Sequence, residues 1–324
     1  MQAYLQGDCR HIAMVQAQFE NLLLKRKHVV GVAIGHKIRA GQTSSEPCLS
    51  IFVNQKVGKN ELSLDDQIPS QIGGFMTDVV ESGPVVAGGL YRSHFMANRQ
   101  VPRPHSLRHR VRPVEGGFSV GHYQIKGGTM ATAVFDANPM PTTVPRYYML
   151  SNNHILANAN NAAIGDPILQ PAPIDGGRMP TDVVAHLSRF IPLRFDGQPN
   201  VVDAALAEGE FHELDREIAR VGYVRNVQPP QLNKVVQKTG RTTCHTTGKI
   251  IGLNATFIVQ YGAGRVAKMC RQIITSNMSA GGDSGSLLCD LHGNAIGLMF
   301  AVSEQITLHN DIRYVMDALG IRLV

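Results

Sequence analysis

The sequence predicts a mainly β fold, with two six-strand-sized blocks, each able to close as a barrel, behind a small N-terminal α/β module. Three observations predict it. Between residues 127 and 207, short apolar runs alternate with turns that carry Gly or Pro, as at 131–134, 147–151, 183–190 and 201–207. The same texture returns at 235–238, 246–253, 255–261, 272–275, 286–289 and 295–302. Many short strands with frequent turn signals indicate a barrel or a sandwich. The first ninety-five residues read differently, as one helical stripe followed by a few apolar strand runs.

Taken in chain order, residues 9–27 put Ile12, Val15, Phe19, Leu22 and Leu23 on one stripe and end in Lys25-Arg26-Lys27, charges suited to a helix C-terminus. Strands are expected at 29–34 and 48–53, on either side of a polar turn at 40–46, and again at 75–80. A β-rich module offers edge strands for pairing, so residues 1–95 are expected to regulate the protein or to assemble it into a homo-oligomer rather than to supply catalytic groups. Residues 96–112 read as a linker. Within them, 99–112 hold five Arg, two His and no acid, with Pro spacing that favours an extended, solvated boundary crossed by few packing contacts. Residues 113–324 hold the two strand blocks. Residues 210–219 are expected to form a connecting helix, and 311–319 a terminal helix that stops at Gly320.

The hexapeptide Gly-Gly-Asp-Ser-Gly-Ser at 281–286 carries the chemistry. A serine on a tight, Cβ-poor turn lets successive backbone N–H groups converge on one point and hold a developing oxyanion. Ser284 is the candidate nucleophile. Its hydroxyl needs a base, and the base needs a group to orient it. His154 follows the apolar run at 147–151 and a polar corner, as a histidine does when a strand delivers it to the rim of a site. Asp203 lies alone inside the apolar segment Val-Val-Asp-Ala-Ala-Leu-Ala, where an unpaired buried carboxylate would be costly. An imidazole N–H is a fitting partner. The chain order is His154, Asp203, Ser284, with separations of 49 and 81 residues.

These residues resemble the trypsin-like serine peptidases. The Gly-Asp-Ser-Gly turn, the His run at 149–155 and the Asp at 203–206 match that family's pattern and order, which differs from the subtilisin-like and α/β-hydrolase orders. Leu-Ser-Asn-Asn-His-Ile-Leu-Ala at 150–157, Gly-Asp-Pro-Ile-Leu-Gln-Pro at 165–171 and Lys-Thr-Gly-Arg-Thr-Thr at 238–243 make the likeness closest to an intracellular bacterial branch similar to the plant narrow-leaf proteins. It covers residues 110–324 well and the first hundred loosely. The resemblance implies a double six-stranded β-barrel with the site between barrels, a serine endopeptidase activity, an oxyanion hole from the N–H groups of Gly282 and Ser284, and no cofactor or metal. It also implies a substrate pocket at Met278, six residues before the nucleophile, and Ser303. A thioether cannot pair with Lys or Arg, so an apolar residue is expected before the scissile bond. Secreted relatives are activated when a new Ile-Val-Gly-Gly terminus pairs with the aspartate before the nucleophile. This chain has no such sequence, the nearest being Glu-Gly-Gly-Phe at 115–118, so Asp283 is expected to be held by groups of the intact chain. Two other readings use the same residues: a catalytically silent binding or scaffolding protein, and an esterase-type acyl hydrolase.

Composition limits the remaining classes. Apolar residues are 43% and charged residues 17%, which suits a globular chain and argues against extensive disorder. The start lacks a basic stretch leading into an apolar one, and no run is long enough to span a membrane, so a soluble, cytoplasmic protein is expected. Five cysteines, an odd number without a Cys-x-x-Cys pair, fit a reducing compartment. Neither Cys9 with His11 nor Cys244 with His245 has enough company for zinc. The net charge of +6 is concentrated at 99–112, but no nucleic-acid-reading motif accompanies it, and peptide or protein is the expected partner.

Overall fold

The structure is a computed structural model that describes residues 4–39, 42–88, 107–139 and 146–324. Among these the strands form a 13-stranded, an eight-stranded and a three-stranded sheet.

Six strands of the largest sheet form a closed ring: Val235–Gly240, Cys244–Gln260, Val266–Ser276, Leu287–Asp290, Asn294–Val302 and Ile306–Asp311. The order runs from Val266–Ser276 through Ile306–Asp311, Asn294–Val302, Leu287–Asp290 and Val235–Gly240 to Cys244–Gln260, which pairs back to Val266–Ser276. Closure removes exposed edges from the ring. The block closes from six strands as expected, but the runs at 246–253 and 255–261 fall on one strand and Ile306–Asp311 makes the sixth. Strand Cys244–Gln260 is 17 residues long; Val235–Gly240 covers one side of it only as far as Lys249, which leaves that side beyond Lys249 open to a second partner.

That partner is the N-terminal region. Strand Val29–Arg39 pairs antiparallel with Cys244–Gln260, Gly31 opposite Phe257 and Gly35 opposite Gly252. Glycine is required at 31, because a Cβ there would lie 2.5 Å from the Phe257 ring. Strand Gln42–Val53 pairs with Val29–Arg39, and Phe75–Glu81 pairs parallel with Gln42–Val53. Helix Gly7–Leu23 covers this sheet; it ends before the Lys25-Arg26-Lys27 run, and of its stripe Ile12 and Leu23 are buried while Leu22 is exposed. Ile12, Leu23, Ile34 and Ile51 share one apolar cluster with Val236, Ile250, Ile273 and Ile296 of the barrel. Few contacts were expected to cross from residues 1–95 into the rest of the chain. Many do, because the N-terminal sheet covers its open edge with a barrel strand and its helix completes the same core.

The linker expectation changes as well. Its residues 96–106 lie outside the described residues. Residues 107–112 are packed rather than extended in solvent: Leu107 is buried, Arg108 Nε donates to Arg241 O at 3.2 Å, Arg110 pairs with Asp182 at 3.3 Å, and Arg112 pairs with Glu213.

The eight-stranded sheet holds Ile321–Arg322, Thr132–Asp136, Tyr147–Ser151, Ala205–Gly209, Val183–Phe190, Pro167–Leu169, Ser119–His122 and Gly128–Thr129 in that spatial order. Its count exceeds the expected six because the chain end adds a strand on one side and a two-residue strand lies on the other. Tyr148, Leu150 and Leu206 of this sheet pack against Leu287, Leu298, Ile312 and Val315, so one apolar layer joins it to the closed barrel. The terminal helix is Ile312–Leu319, capped by Asp311 Oδ1 accepting from Arg313 N at 3.1 Å and stopped at Gly320 with φ 65°. The expected helix at 210–219 is absent. Residues Leu214–Ile218 are a strand, parallel to Val114–Gly116 and antiparallel to Gly222–Tyr223. Leu214 and Ile218 are both buried at a spacing that imitates a helical face, and the parallel neighbour decides the conformation.

Candidate active site

The eight-stranded sheet brings two of the three expected residues together. Ser151 pairs with Ala205 at the ends of adjacent antiparallel strands, so the segments that carry His154 and Asp203 leave the sheet side by side. His154 sits on the one-turn helix Asn153–Leu156 just past the strand, not on the strand itself. Asn152 Nδ2 donates to Asp203 O at 2.8 Å and Asn153 Nδ2 donates to Ile191 O at 2.7 Å, which fixes the corner from both sides.

Asp203 is fully buried and fully employed. Its Oδ1 accepts the His154 backbone N–H at 3.2 Å, and its Oδ2 accepts from His154 Nδ1 at 2.6 Å and from Tyr261 Oη at 2.9 Å. Its own N–H donates to Asn310 Oδ1 at 2.9 Å, and Asn310 Nδ2 donates to Gln272 Oε1 at 2.7 Å. These bonds compensate a carboxylate removed from water. Burial, followed by the Asp203 carboxylate, pushes the Tyr261 hydroxyl well above its ordinary range and keeps it a donor. With Nδ1 donating to Asp203, the other imidazole nitrogen is left as an acceptor. That atom, His154 Nε2, is buried and has no hydrogen-bond partner among the described residues.

Ser284 lies on the turn between strands Val266–Ser276 and Leu287–Asp290 of the closed barrel. It is buried, and its Oγ donates to Phe300 O at 3.3 Å rather than to His154. The turn is stitched to the other sheet by Thr129 N donating to Ser284 O at 2.8 Å and by Thr129 Oγ1 donating to Gly282 O at 2.9 Å. Only glycine fits at 285: φ is 97°, and a Cβ would lie 2.1 Å from Ser151 Oγ and from the Thr129 carbonyl oxygen. Within the turn, the N–H groups of Asp283, Gly285 and Ser286 donate to Ala280 O, Met299 O and Asp283 O. Those of Gly282 and Ser284 find no acceptor among the described residues.

Asp283 is held from within the chain. Lys238 Nζ lies 2.9 Å from its Oδ2, and Thr243 Oγ1 donates to the same oxygen at 2.6 Å while accepting from Lys238 at 2.6 Å. The N–H groups of Thr242 and Thr243 donate to Oδ1 at 2.8 and 3.1 Å, and Ala280 N–H donates to Oδ2 at 3.0 Å. Burial alone would raise this carboxyl; Lys238 and the hydrogen bonds outweigh it and hold the group below its ordinary value. The run at 238–243 is thus a cradle for the aspartate that shapes the nucleophile turn. Beside it, the Arg241 guanidinium pairs with Asp175 through Nε at 2.8 Å and Nη2 at 2.6 Å.

The two residues expected at the substrate pocket are both buried. Met278 is buried in the cluster that also holds Ile12 and Leu23, where it fills core beside Gly248. Ser303 is buried in the turn after Asn294–Val302, its Oγ accepting from Gln305 N at 3.3 Å and Ile306 N at 3.2 Å. Tyr261, Lys238, Thr243 and Asn310 were not foreseen. Lys238 leaves a faint signal, since it follows Val235, Val236 and Gln237 on one strand and a lysine carried into a sheet needs an anionic partner. Tyr261 meets Asp203 across 58 residues, and nothing local marks it. All five cysteines are free. Among the described residues no group of three or more His, Cys, Asp or Glu is placed to hold a metal, and no helix is long and apolar enough to cross a membrane.

Among solved structures, the chain is similar to protease A of Thermobifida fusca and to a Nocardiopsis protease, each at 15% identity and TM-score 0.45 over 65% of this chain and 98% of the other. A chymotrypsin of Cellulomonas bogoriensis matches at 15% identity and TM-score 0.44, again over 65% of this chain and 98% of that one. No curated protein matches the chain in sequence. Residues 11–80 match the family model described as the NARROW LEAF 1 N-terminal domain, so over that stretch the chain is similar to the narrow-leaf proteins.

Proposed function

We propose that the chain is a serine endopeptidase in which Ser284 is the nucleophile, His154 the general base and acid, and Asp203 the group that orients His154. One observation carries this reading: His154 gives its Nδ1 to a buried carboxylate and keeps a buried Nε2 that has no hydrogen-bond partner among the described residues, while the Gly-Asp-Ser-Gly turn keeps two N–H groups without an acceptor among them. As a peptide carbonyl enters, Ser284 Oγ exchanges the Phe300 carbonyl for His154 Nε2. The proton passes to Nε2 as Oγ bonds to the carbonyl carbon, and the oxygen that gains charge is held by the N–H groups of Gly282 and Ser284. Collapse breaks the C–N bond, with the Nε2 proton going to the leaving amine. Water then repeats the sequence on the acyl-enzyme. The Asp283 cradle contributes by fixing the turn so that no reorganisation is needed when charge develops. No step requires a cofactor.

The free cysteines accord with a reducing, cytoplasmic setting, and the sheet edge of residues 1–95 remains our candidate for assembly into a homo-oligomer. The test of the activity is a peptide-library digest by wild type against Ser284→Ala, with fluorophosphonate labelling located by mass spectrometry. Cleavage lost in the variant together with a label on Ser284 supports the peptidase. Labelling of Ser284 without cleavage of any peptide would instead favour the esterase, and absence of both labelling and cleavage would favour the silent scaffold.

A further inference from the structure

We infer that residues 85–88 of the chain act as a built-in ligand of the substrate-binding edge and must leave before an extended peptide can bind. The inference rests on the peptidase reading for its consequence, but its geometry is independent of it. Strand Asn294–Val302 is covered on one side by Leu287–Asp290 only as far as Leu298. Met299 is then tied to Gly285 and Ser286, Phe300 offers its carbonyl to Ser284 Oγ, and the two residues that follow would be an open edge beside the nucleophile. Val86–Ala87 fills that edge: Ala301 pairs antiparallel with Ala87, and Val302 with Val86. The occupant is clamped from its other side as well, where Val86 pairs with Gln260 and Gln260 N–H donates to Val85 O at 3.0 Å.

The direction of the segment is the telling part. Running antiparallel to Asn294–Val302, it goes from Val302 toward Phe300 and arrives at the catalytic imidazole: a Cβ placed on Gly88 would lie 3.8 Å from His154 Cδ2. An extended peptide recognised by strand addition gains its main-chain hydrogen bonds from such an edge and its specificity from pockets for alternate side chains. Val85 and Ala87 are buried against Phe257, Phe300 and Tyr261, whereas Gly88 is exposed. A segment of small apolar residues therefore sits where an extended peptide would sit, with its C-terminal end at the base. Two paired residues make a short strand, of a kind that is marginal without help from its neighbours. Tethering supplies that help, because a linked segment competes at an effective concentration of order millimolar.

A population that keeps the edge filled in about nine molecules of ten would raise the apparent Kd of a competing peptide about tenfold. Ala87→Asp places a charge in the apolar cluster that receives Ala87 and so expels the segment. The probe is a synthetic peptide with the sequence of residues 83–88, Gly-Pro-Val-Val-Ala-Gly. In a Ser284→Ala background, where nothing is cleaved, the full-length Ala87→Asp chain should bind this peptide at least tenfold more tightly than the chain with Ala87. Where Ala87→Asp does not fold, the unaltered edge is read by hydrogen exchange in Ser284→Ala: millimolar peptide should speed exchange of the Val86 and Ala87 amides. Equal affinity with and without Ala87→Asp, or exchange that saturating peptide leaves unchanged, overturns the inference. In the catalytically intact chain, Ala87→Asp should lower KM for extended peptides about tenfold with little change in the rate of fluorophosphonate labelling. A failed digest of every peptide would refute the peptidase alone, since the binding and exchange measurements need no turnover.

Discussion

Lys238 Nζ and Asp283 Oδ2 lie 2.9 Å apart with both side chains buried, one from the strand that opens the closed barrel and the other from the residue before the nucleophile. In the proposed peptidase, the pair would hold the turn by internal contact, with no freed amino terminus required. Its removal is the first prediction. Lys238→Met should leave Asp283 as an uncompensated buried charge and cost about 3–5 kcal/mol of stability. Chemical unfolding measures that loss, and the rate of Ser284 labelling should fall as the turn loosens. Lys238→Met combined with Asp283→Asn should recover much of the stability, since neither partner is then left charged. A Lys238→Met protein as stable and as reactive as wild type would mean that the threonine and backbone donors suffice without the lysine.

The same cradle predicts that no new N-terminus is needed. Intact mass measured on active, fluorophosphonate-labelled protein should be that of the full chain plus one label, and reductant should not change the rate, since all five cysteines are free. Activity confined to chains that start near residues 113–118 would refute this.

Tyr261 and Asp203 give a graded test of the triad. Ser284→Ala and His154→Ala should each lower kcat by roughly four to six orders of magnitude, with the double variant little worse, as in other serine peptidases. Tyr261→Phe removes one of the three hydrogen bonds on the Asp203 carboxylate, and a loss of about 1 to 1.5 kcal/mol corresponds to a roughly tenfold fall in kcat with KM unchanged. Steady-state kinetics on a peptide found by library digestion checks both. A Tyr261→Phe enzyme altered in KM alone would place the tyrosine at substrate rather than behind the acid.

His309 predicts the acid limb of stability. Burial, helped by the nearby charge of Lys238, lowers it from an ordinary 6.5 to about 3, and its Nε2 shares a hydrogen bond with Thr275 Oγ1 at 3.0 Å. Above pH 6.5 it is neutral in both folded and unfolded chains. Below that, the unfolded chain takes up the proton and the folded one does not, so stability falls by about 1.4 kcal/mol per pH unit down to about pH 3. Asp283 acts in a lower window. Its folded value is depressed, so its contribution is complete above its ordinary 3.8 and is lost only as pH falls through the folded value. Urea midpoints at pH 7 and pH 5 should therefore separate for wild type, and His309→Gln should reduce the separation. An equal separation in both proteins would exclude His309 as its source.

The strand texture, the terminal helix and the pairing of His154 with Asp203 were legible in the sequence, because each is written locally in turn residues, apolar runs or a lone buried carboxylate. What the sequence hid is non-local. The spacing of Leu214 and Ile218 reads as a helix because i and i+4 coincide with two buried strand positions, and only the parallel strand Val114–Gly116 resolves the ambiguity. Met278 shares an apolar cluster with Ile12 and Leu23, residues more than 250 positions away in the chain, and no local pattern announces that neighbourhood. The Pro- and Arg-rich composition near 107–112 suggests solvent, yet Asp182 and Glu213 are waiting for its arginines.

The last prediction concerns residues 1–95, expected from composition to form a module of their own and described at 4–39 and 42–88. Strand Val29–Arg39 covers one edge of Cys244–Gln260, and Ile12, Leu23, Val32 and Ile34 lie against Val236, Ile250, Ile273 and Ile296. A chain that begins at Leu107 would uncover these barrel residues and present a long, unpaired strand edge, a combination that promotes association between copies. Each fully buried Ile or Leu contributes about 1.5–3 kcal/mol, so losing several such contacts exceeds the margin of an ordinary domain. The shortened chain should therefore be insoluble or aggregated, and the segment 4–88 supplied in trans should restore soluble protein that labels at Ser284. Size-exclusion chromatography with fluorophosphonate labelling reads both outcomes. A soluble, monomeric chain from Leu107 that labels at the full-length rate would show that the shared core is dispensable and that the N-terminal region is a separable module after all.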